Sequence, residues 1–134
     1  MNAQNWKEKI SIIDGDTVKS YTILSELPTN TISLRATVIG TDTSFYFLYR
    51  NNEYQTINSY ETTTSLNSSE MFELISNMHK VSQKVIDDVS YRDIRISKMM
   101  GGVIIWGKRG WNMLRNNRII QLEQNVRLFT GKSN

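Results

Sequence analysis

The residues best suited to chemistry in this sequence are the cations and aromatic rings of residues 91–118. That stretch holds seven of the sixteen lysines and arginines and two of the three tryptophans. Lysine and arginine neutralise phosphates, and aromatic rings stack on unpaired bases. The stretch therefore predicts a surface for a polyanion, with Trp111 or Trp106 against bases. The predicted contact residues are Arg92, Arg95, Lys98, Lys108, Arg109, Trp111, Arg115 and Arg118.

The charge of the chain is divided unevenly along its length. The formal net charge is +3, but residues 1–79 carry five basic and nine acidic side chains, whereas residues 80–134 carry eleven basic and four acidic ones. Such asymmetry can steer an anionic partner to the basic part of a small protein. It can equally bring the acidic half of one copy to the basic half of another.

One segment partly matches a phosphate-binding loop. Residues 102–108 fit the first seven positions of GxxxxGK[ST], but Arg109 stands where Ser or Thr would hold magnesium. The inner residues, VIIW, are typical of a buried strand. We therefore expect a strand here, and not a loop that cradles phosphate.

Candidates for catalysis and metal binding are few. His79 is the only histidine, so a histidine-built metal site or a catalytic triad lacks its partners. Asp14 and Asp16 can share a divalent cation, but an Asp-Gly turn already accounts for them. The absence of cysteine excludes disulfides and zinc-thiolate sites. We predict no catalytic residue, no metal and no cofactor.

The length of 134 residues suits one domain spanning the whole chain. The longest apolar run of the basic stretch, residues 103–106, is far shorter than the roughly twenty residues of a membrane helix. The first residues lack the basic and apolar segments of a secretory signal. We expect a cytoplasmic protein with no membrane partner.

Alternating apolar residues and polar turns predict an antiparallel meander in the first half. Its strands are expected at residues 9–13, 18–24, 31–39, 44–50 and 54–57, with a hairpin turn at Asp14-Gly15. Residues 59–69, rich in Thr and Ser, are expected to form a loop. A helix should follow, capped by Asn67 with Glu70 reaching back, and its apolar stripe continues to about Val89. This amphipathic helix would cover one face of the meander.

Strand patterns return at residues 94–97 and 103–106, with a turn at residues 107–110. Residues 111–129 allow two interpretations. Asn116-Asn117 is typical of a hairpin turn that leads to another strand, whereas the spacing of Trp111, Leu122 and Phe129 also fits a helix face. We favour a second antiparallel set of strands, with a helix at its C-terminal end. The predicted fold class is therefore α+β.

Two functions from different classes fit these patterns. The first is a non-enzymatic nucleic-acid-binding protein that favours single-stranded DNA or RNA. The second is a structural or inhibitory protein-binding subunit of a virus, phage or mobile element, which forms a homo-oligomer or docks on a protein partner through exposed strand edges. Asn and Ile, whose codons are AT-rich, are abundant, which indicates a low-GC genome such as that of a bacterium, phage, virus or organelle.

Overall fold

Two antiparallel sheets, each followed by a helix, make up the computed structural model, which describes residues 6–25, 32–50 and 60–131. Sheet A contains β1 (Lys7–Ile13), β2 (Asp16–Ser25), β3 (Ile32–Ile39), β4 (Asp42–Arg50) and β5 (Tyr60–Thr62), and α1 (Ser68–Ser82) follows it. Sheet B contains β6 (Val89–Tyr91), β7 (Ile94–Met99), β8 (Gly102–Gly107) and β9 (Gly110–Arg115), and α2 (Asn116–Thr130) follows it. In both sheets the strands are neighbours in the order of the sequence. The predicted α+β class, with two meanders and a C-terminal helix, is confirmed.

Alternation along the strands sends one set of side chains from each sheet into a shared core. Phe45, Phe47 and Tyr49 of β4 are at most 3% exposed, and Ile94 and Ile96 of β7 are at most 1% exposed. Helix α1 packs against β4 and strands β6, β7 and β8, whereas α2 packs against β2, β8 and β9. Both helices therefore cover the inner faces, and neither α1 nor α2 lies on the opposite face of either sheet.

Helix α1 begins where the sequence predicts but ends earlier. Asn67 and Glu70 form the predicted capping box. The helix ends at Ser82, so the prediction that it continues to about Val89 is wrong. Lys84 adopts a left-handed φ of 63°, which no helix can continue through. The Nζ of Lys98 donates to the Ser82 carbonyl at 3.1 Å and so places a cation at the end of the helix.

The segment predicted as a loop at residues 59–69 is partly ordered into the sheet. Strand β5 pairs with β4, so Thr62 lies opposite Leu48. Leu66 forms an isolated bridge with Phe45 and is 1% exposed. One apolar side chain within a run of Thr and Ser therefore anchors the segment in the core. The strand predicted at residues 54–57 lies outside the described residues.

The hairpin turn predicted at Asn116-Asn117 is wrong, because α2 begins at Asn116. The Asn116 amide donates to the Gly101 carbonyl at 2.9 Å, which extends the hydrogen bonding between β8 and β9 by one residue. The helix is then favoured by the buried stripe of Ile119, Leu122 and Val126.

A β-bulge interrupts the pairing of β2 with β3 between Thr22 and Leu24. The carbonyl of Ile23 accepts a hydrogen bond from Nδ2 of buried Asn125 at 2.8 Å. The carbonyl of Ser25 accepts one from Arg118 at 2.9 Å. Two side chains of α2 therefore satisfy the backbone of the bulge and fix its position.

Candidate nucleic-acid interface

A row of three side chains crosses the outer face of sheet B. The strand register places Arg95 opposite Trp106 and Trp106 opposite Trp111, on β7, β8 and β9. We call these three residues the aromatic row. Val103 and Ile105 point into the core from the same strand as Trp106, at most 3% exposed, so alternation puts Trp106 on the outer side.

The aromatic row is held by direct contacts between its members. The guanidinium carbon of Arg95 lies 4.6 Å from the ring centroid of Trp106, within the range of a cation–π interaction. The ring centroids of Trp106 and Trp111 are 6.1 Å apart with an interplanar angle of 44°. The Trp106 Nε1 donates to Ser97 Oγ at 2.7 Å. Trp106 is thus fixed in orientation, and Trp111, 42% exposed, presents its ring beside it.

Apolar residues and a second cation extend the row along the sheet. Ile104 lies opposite Met113, which is 51% exposed, and Gly102 lies opposite exposed Arg115. A Cβ on Gly102 would overlap the Leu114 backbone, so the glycine permits close approach of β8 and β9. The outer face therefore has the two tryptophans beside the β8–β9 turn, then Ile104 and Met113, and then Arg115 at the far end of β9.

The β8–β9 turn carries two further cations and is tied to sheet A. Lys108 is exposed, and Arg109 Nε lies 3.4 Å from the Glu61 carboxylate of β5. The Arg109 amide donates to the buried Tyr49 hydroxyl at 3.1 Å. A Cβ on Gly107 would overlap the Tyr49 ring. The turn is therefore held in one position at the end of the row.

The predicted contact residues separate into two groups. Arg95, Trp111 and Arg115 lie on the outer face of sheet B, and Lys108 and Arg109 lie in the adjoining turn. The remaining three, Arg92, Lys98 and Arg118, bind groups of the protein itself, as Arg109 also does through its ion pair with Glu61.

Each residue of the second group stabilises a helix or a connection. Arg92 forms an ion pair with Glu70 in the first turn of α1. The pKa of Glu70 is lowered chiefly by the hydrogen bond from the Asn67 amide and then by that from Arg92. Lys98 and Arg118 bind the carbonyls of Ser82 and Ser25. The structure therefore assembles five of the eight predicted residues on or next to one surface.

Sequence reasoning missed Ile104 and Met113 as parts of this surface. Their signal is present, because residues 111, 113 and 115 alternate with buried Asn112 and Leu114. The alternation was obscured by the competing helical interpretation of residues 111–129. Only the strand register shows that Met113 and Ile104 are neighbours.

The other candidates for chemistry contribute to the fold. Residues 102–107 form strand β8, as expected, and not a phosphate-binding loop. His79 lies 2.9 Å from Glu123 of α2, so it joins the two helices. Within the described residues no group of three or more His, Asp or Glu is placed to hold a metal ion.

Comparison with known proteins gives no family for this chain: no family model, curated protein or solved structure matches it. In the described part of the chain, neither helix has the length and hydropathy that crossing a bilayer requires.

Proposed function

We propose that this protein is a non-enzymatic nucleic-acid-binding protein that holds single-stranded DNA or RNA on the outer face of sheet B. The aromatic row is the observation that carries the proposal. Bases of a single strand can stack on Trp111 and on the exposed part of Trp106, and such stacking tolerates any base sequence. A four-stranded antiparallel sheet with exposed rings is a surface that recognises unpaired bases.

The positions of the cations support the same proposal. Arg95 lies in the aromatic row, and Arg115 lies four residues beyond Trp111 on β9. Four residues of strand span about 14 Å, which is the length of about four stacked nucleotides. Phosphates on both sides of the stacked bases can therefore reach a guanidinium. Lys108 extends the positive charge beyond the row, whereas the charge of Arg109 is offset by the Glu61 carboxylate.

Fluorescence anisotropy with labelled single-stranded DNA, single-stranded RNA and duplex DNA tests the proposal. The wild type should bind the single strands more tightly than the duplex, with affinity that falls as salt rises. Arg95→Gln/Arg115→Gln should weaken single-strand binding. The matched control, Lys19→Gln/Lys80→Gln, removes two exposed cations elsewhere and should bind as the wild type does. No binding by the folded wild type at low salt would overturn the proposal.

A second candidate function, self-association or docking on a protein partner, is favoured by β1. This strand lies at the end of the described sheet A and exposes Ile10 by 58%, Ile12 by 75% and Ile13 by 56%. Exposed apolar strands at a sheet edge favour pairing with another chain. Sedimentation equilibrium without nucleic acid tests this function, since Ile12→Lys should dissociate an oligomer built on β1. A monomer at all concentrations would exclude self-association through this strand.

A further inference from the structure

The outer face of sheet A carries a second feature, a basin of about 660 Å³ on the face opposite the helices. We propose that this basin binds a phosphate group. Its chemistry comes from Lys9 and Arg35, with the hydroxyl groups of Ser20, Thr22 and Ser33 between and beside them. Tyr60, 47% exposed, lies at the basin's edge on β5.

The strand register brings the two cations of the basin to one face. Lys9 of β1 lies opposite Ser20 of β2, and Thr22, two residues along β2, lies opposite Arg35 of β3. Residues two apart on a strand share a face, so all four side chains lie on one side. Strands β1 and β3 are about 10 Å apart, across β2. Two long cationic side chains can close on one phosphate across that gap.

The bulge in β2 shapes the basin. Ile23 and Leu24 are both buried, although alternation would place one of them on the outer face. The extra residue lets Ser25 pair with Ser33 and so returns Ser25 to the same face as Thr22. Bulges also increase local twist and bend the strand. Because α2 fixes the bulge through Asn125, the curvature does not depend on a ligand.

The hydrogen bonds made by side chains around the basin favour an anionic ligand. Arg35 Nε donates to Ser33 Oγ at 3.3 Å, which orients the guanidinium while its terminal nitrogens supply four more N–H donors. Glu8 also lines the basin, but it pairs with Tyr21, one residue out of phase with Lys9 and Ser20. Its side chain therefore lies on the opposite face of the sheet, where its carboxylate accepts a hydrogen bond from the Tyr21 hydroxyl at 2.6 Å. Charge-assisted hydrogen bonds to phosphate are about twice as strong as neutral ones. The neighbouring hydroxyl groups add further donors to phosphate oxygens.

Two sources can supply the phosphate, namely a free mononucleotide, whose base would contact Tyr60, or the backbone of a bound strand. Isothermal titration calorimetry with AMP, adenosine and inorganic phosphate tests the first source. Anisotropy of a labelled oligothymidylate tests the second. Lys9→Gln/Arg35→Gln is the test variant, and Lys19→Gln/Lys80→Gln is the charge-matched control. Lys9→Gln alone serves if the double variant does not fold, because Lys9 is exposed.

We expect the test variant to lower affinity for AMP by about tenfold or more, with the control unchanged and adenosine unbound. Loss of oligothymidylate affinity without AMP binding would also support the phosphate site and assign it to a strand. If the test variant and the control bind all probes equally, the proposal is overturned. Arg95→Gln/Arg115→Gln should keep AMP affinity, so failure of the sheet B interface and failure of this basin are distinguishable.

Discussion

The backbone amide of Arg109 donates a hydrogen bond to the Tyr49 hydroxyl at 3.1 Å, which joins the β8–β9 turn to sheet A. Tyr49 is 3% exposed and belongs to the core, so its ring also forms the surface on which Gly107 rests. One buried side chain therefore positions the turn that carries Lys108 and Arg109 at the end of the aromatic row.

Two substitutions should separate the hydrogen bond of the Tyr49 hydroxyl from the packing of Gly107 on the Tyr49 ring. Tyr49→Phe leaves the ring and should lower the free energy of unfolding by about 1 kcal/mol, the net worth of one hydrogen bond. Gly107→Ala pushes a methyl group into the ring and should cost about 1–3 kcal/mol. Urea denaturation measures both. Equal stability of Gly107→Ala and the wild type would show that the turn is not packed on Tyr49.

Replacing Trp111 should reveal whether its ring stacks on bases. Trp111→Ala should weaken single-strand binding by about 1–3 kcal/mol, the usual worth of one base–aromatic stack. Trp111→Phe should keep most of the affinity because it retains an aromatic face. Anisotropy titration with a labelled single strand measures the difference. Identical affinities of the Ala and Phe variants would mean that the ring contributes no stacking.

Replacing some cations of residues 91–118 should change nucleic-acid binding, whereas replacing others should change stability. Arg95→Gln should reduce the slope of log affinity against log salt by about 0.7. Arg118→Gln should instead lower the free energy of unfolding by about 1 kcal/mol, because the Ser25 carbonyl loses its hydrogen bond from Arg118. Lys98→Gln should also lower stability, because the Nζ of Lys98 donates a hydrogen bond to the Ser82 carbonyl at the end of α1. Lys80→Gln controls for net charge alone.

A salt slope that falls as much in Arg118→Gln as in Arg95→Gln would contradict this division. The interface would then have to extend from sheet B to the first turn of α2. Urea denaturation of the same variants gives the independent measure of stability, so a change in binding caused by partial unfolding can be recognised.

The start of α1 and the strands of sheet A could be predicted because local rules determine them. Asn67 and Glu70 satisfy each other's backbone amides, and β3 alternates cleanly. The end of α1 could not be predicted, because the apolar stripe continues to Val85, which is 65% exposed. Nor did Asn116-Asn117 reveal α2, since paired asparagines are typical of a turn and the N-cap is Arg115, whose side chain makes no capping hydrogen bond.

The candidate sites were predictable to different degrees. The concentration of cations and tryptophans pointed to residues 91–118 as a site. Only the strand register shows that Arg95 lies on the outer face, whereas Lys98 binds the end of α1. The basin of sheet A was hidden by the acidic balance of residues 1–79, which averages over both faces of the sheet. Lys9 and Arg35 are far apart in the sequence and are brought to one face of the sheet only by pairing across β2.

The contact between His79 and Glu123 joins α1 to α2 and should make stability depend on pH. Burial raises the pKa of Glu123, but hydrogen bonds from His79 and Arg127, with their charges, outweigh it and leave the pKa below its usual value. A lowered pKa means that the ionised carboxylate stabilises the folded state above the unfolded pKa, about 4.3. That stabilisation is lost as the pH falls through the folded pKa.

Glu123→Gln should therefore be less stable than the wild type near neutral pH, and the difference should shrink in acid below about pH 4. Urea denaturation at a series of pH values measures the difference. Glu73→Gln removes an exposed carboxylate from α1 and serves as the control. If both variants lose the same stability at every pH, the His79 and Arg127 contacts do not set the behaviour of Glu123. If only Glu123→Gln shows the pH-dependent loss, the ion pairs of Glu123 with His79 and Arg127 stabilise the folded state.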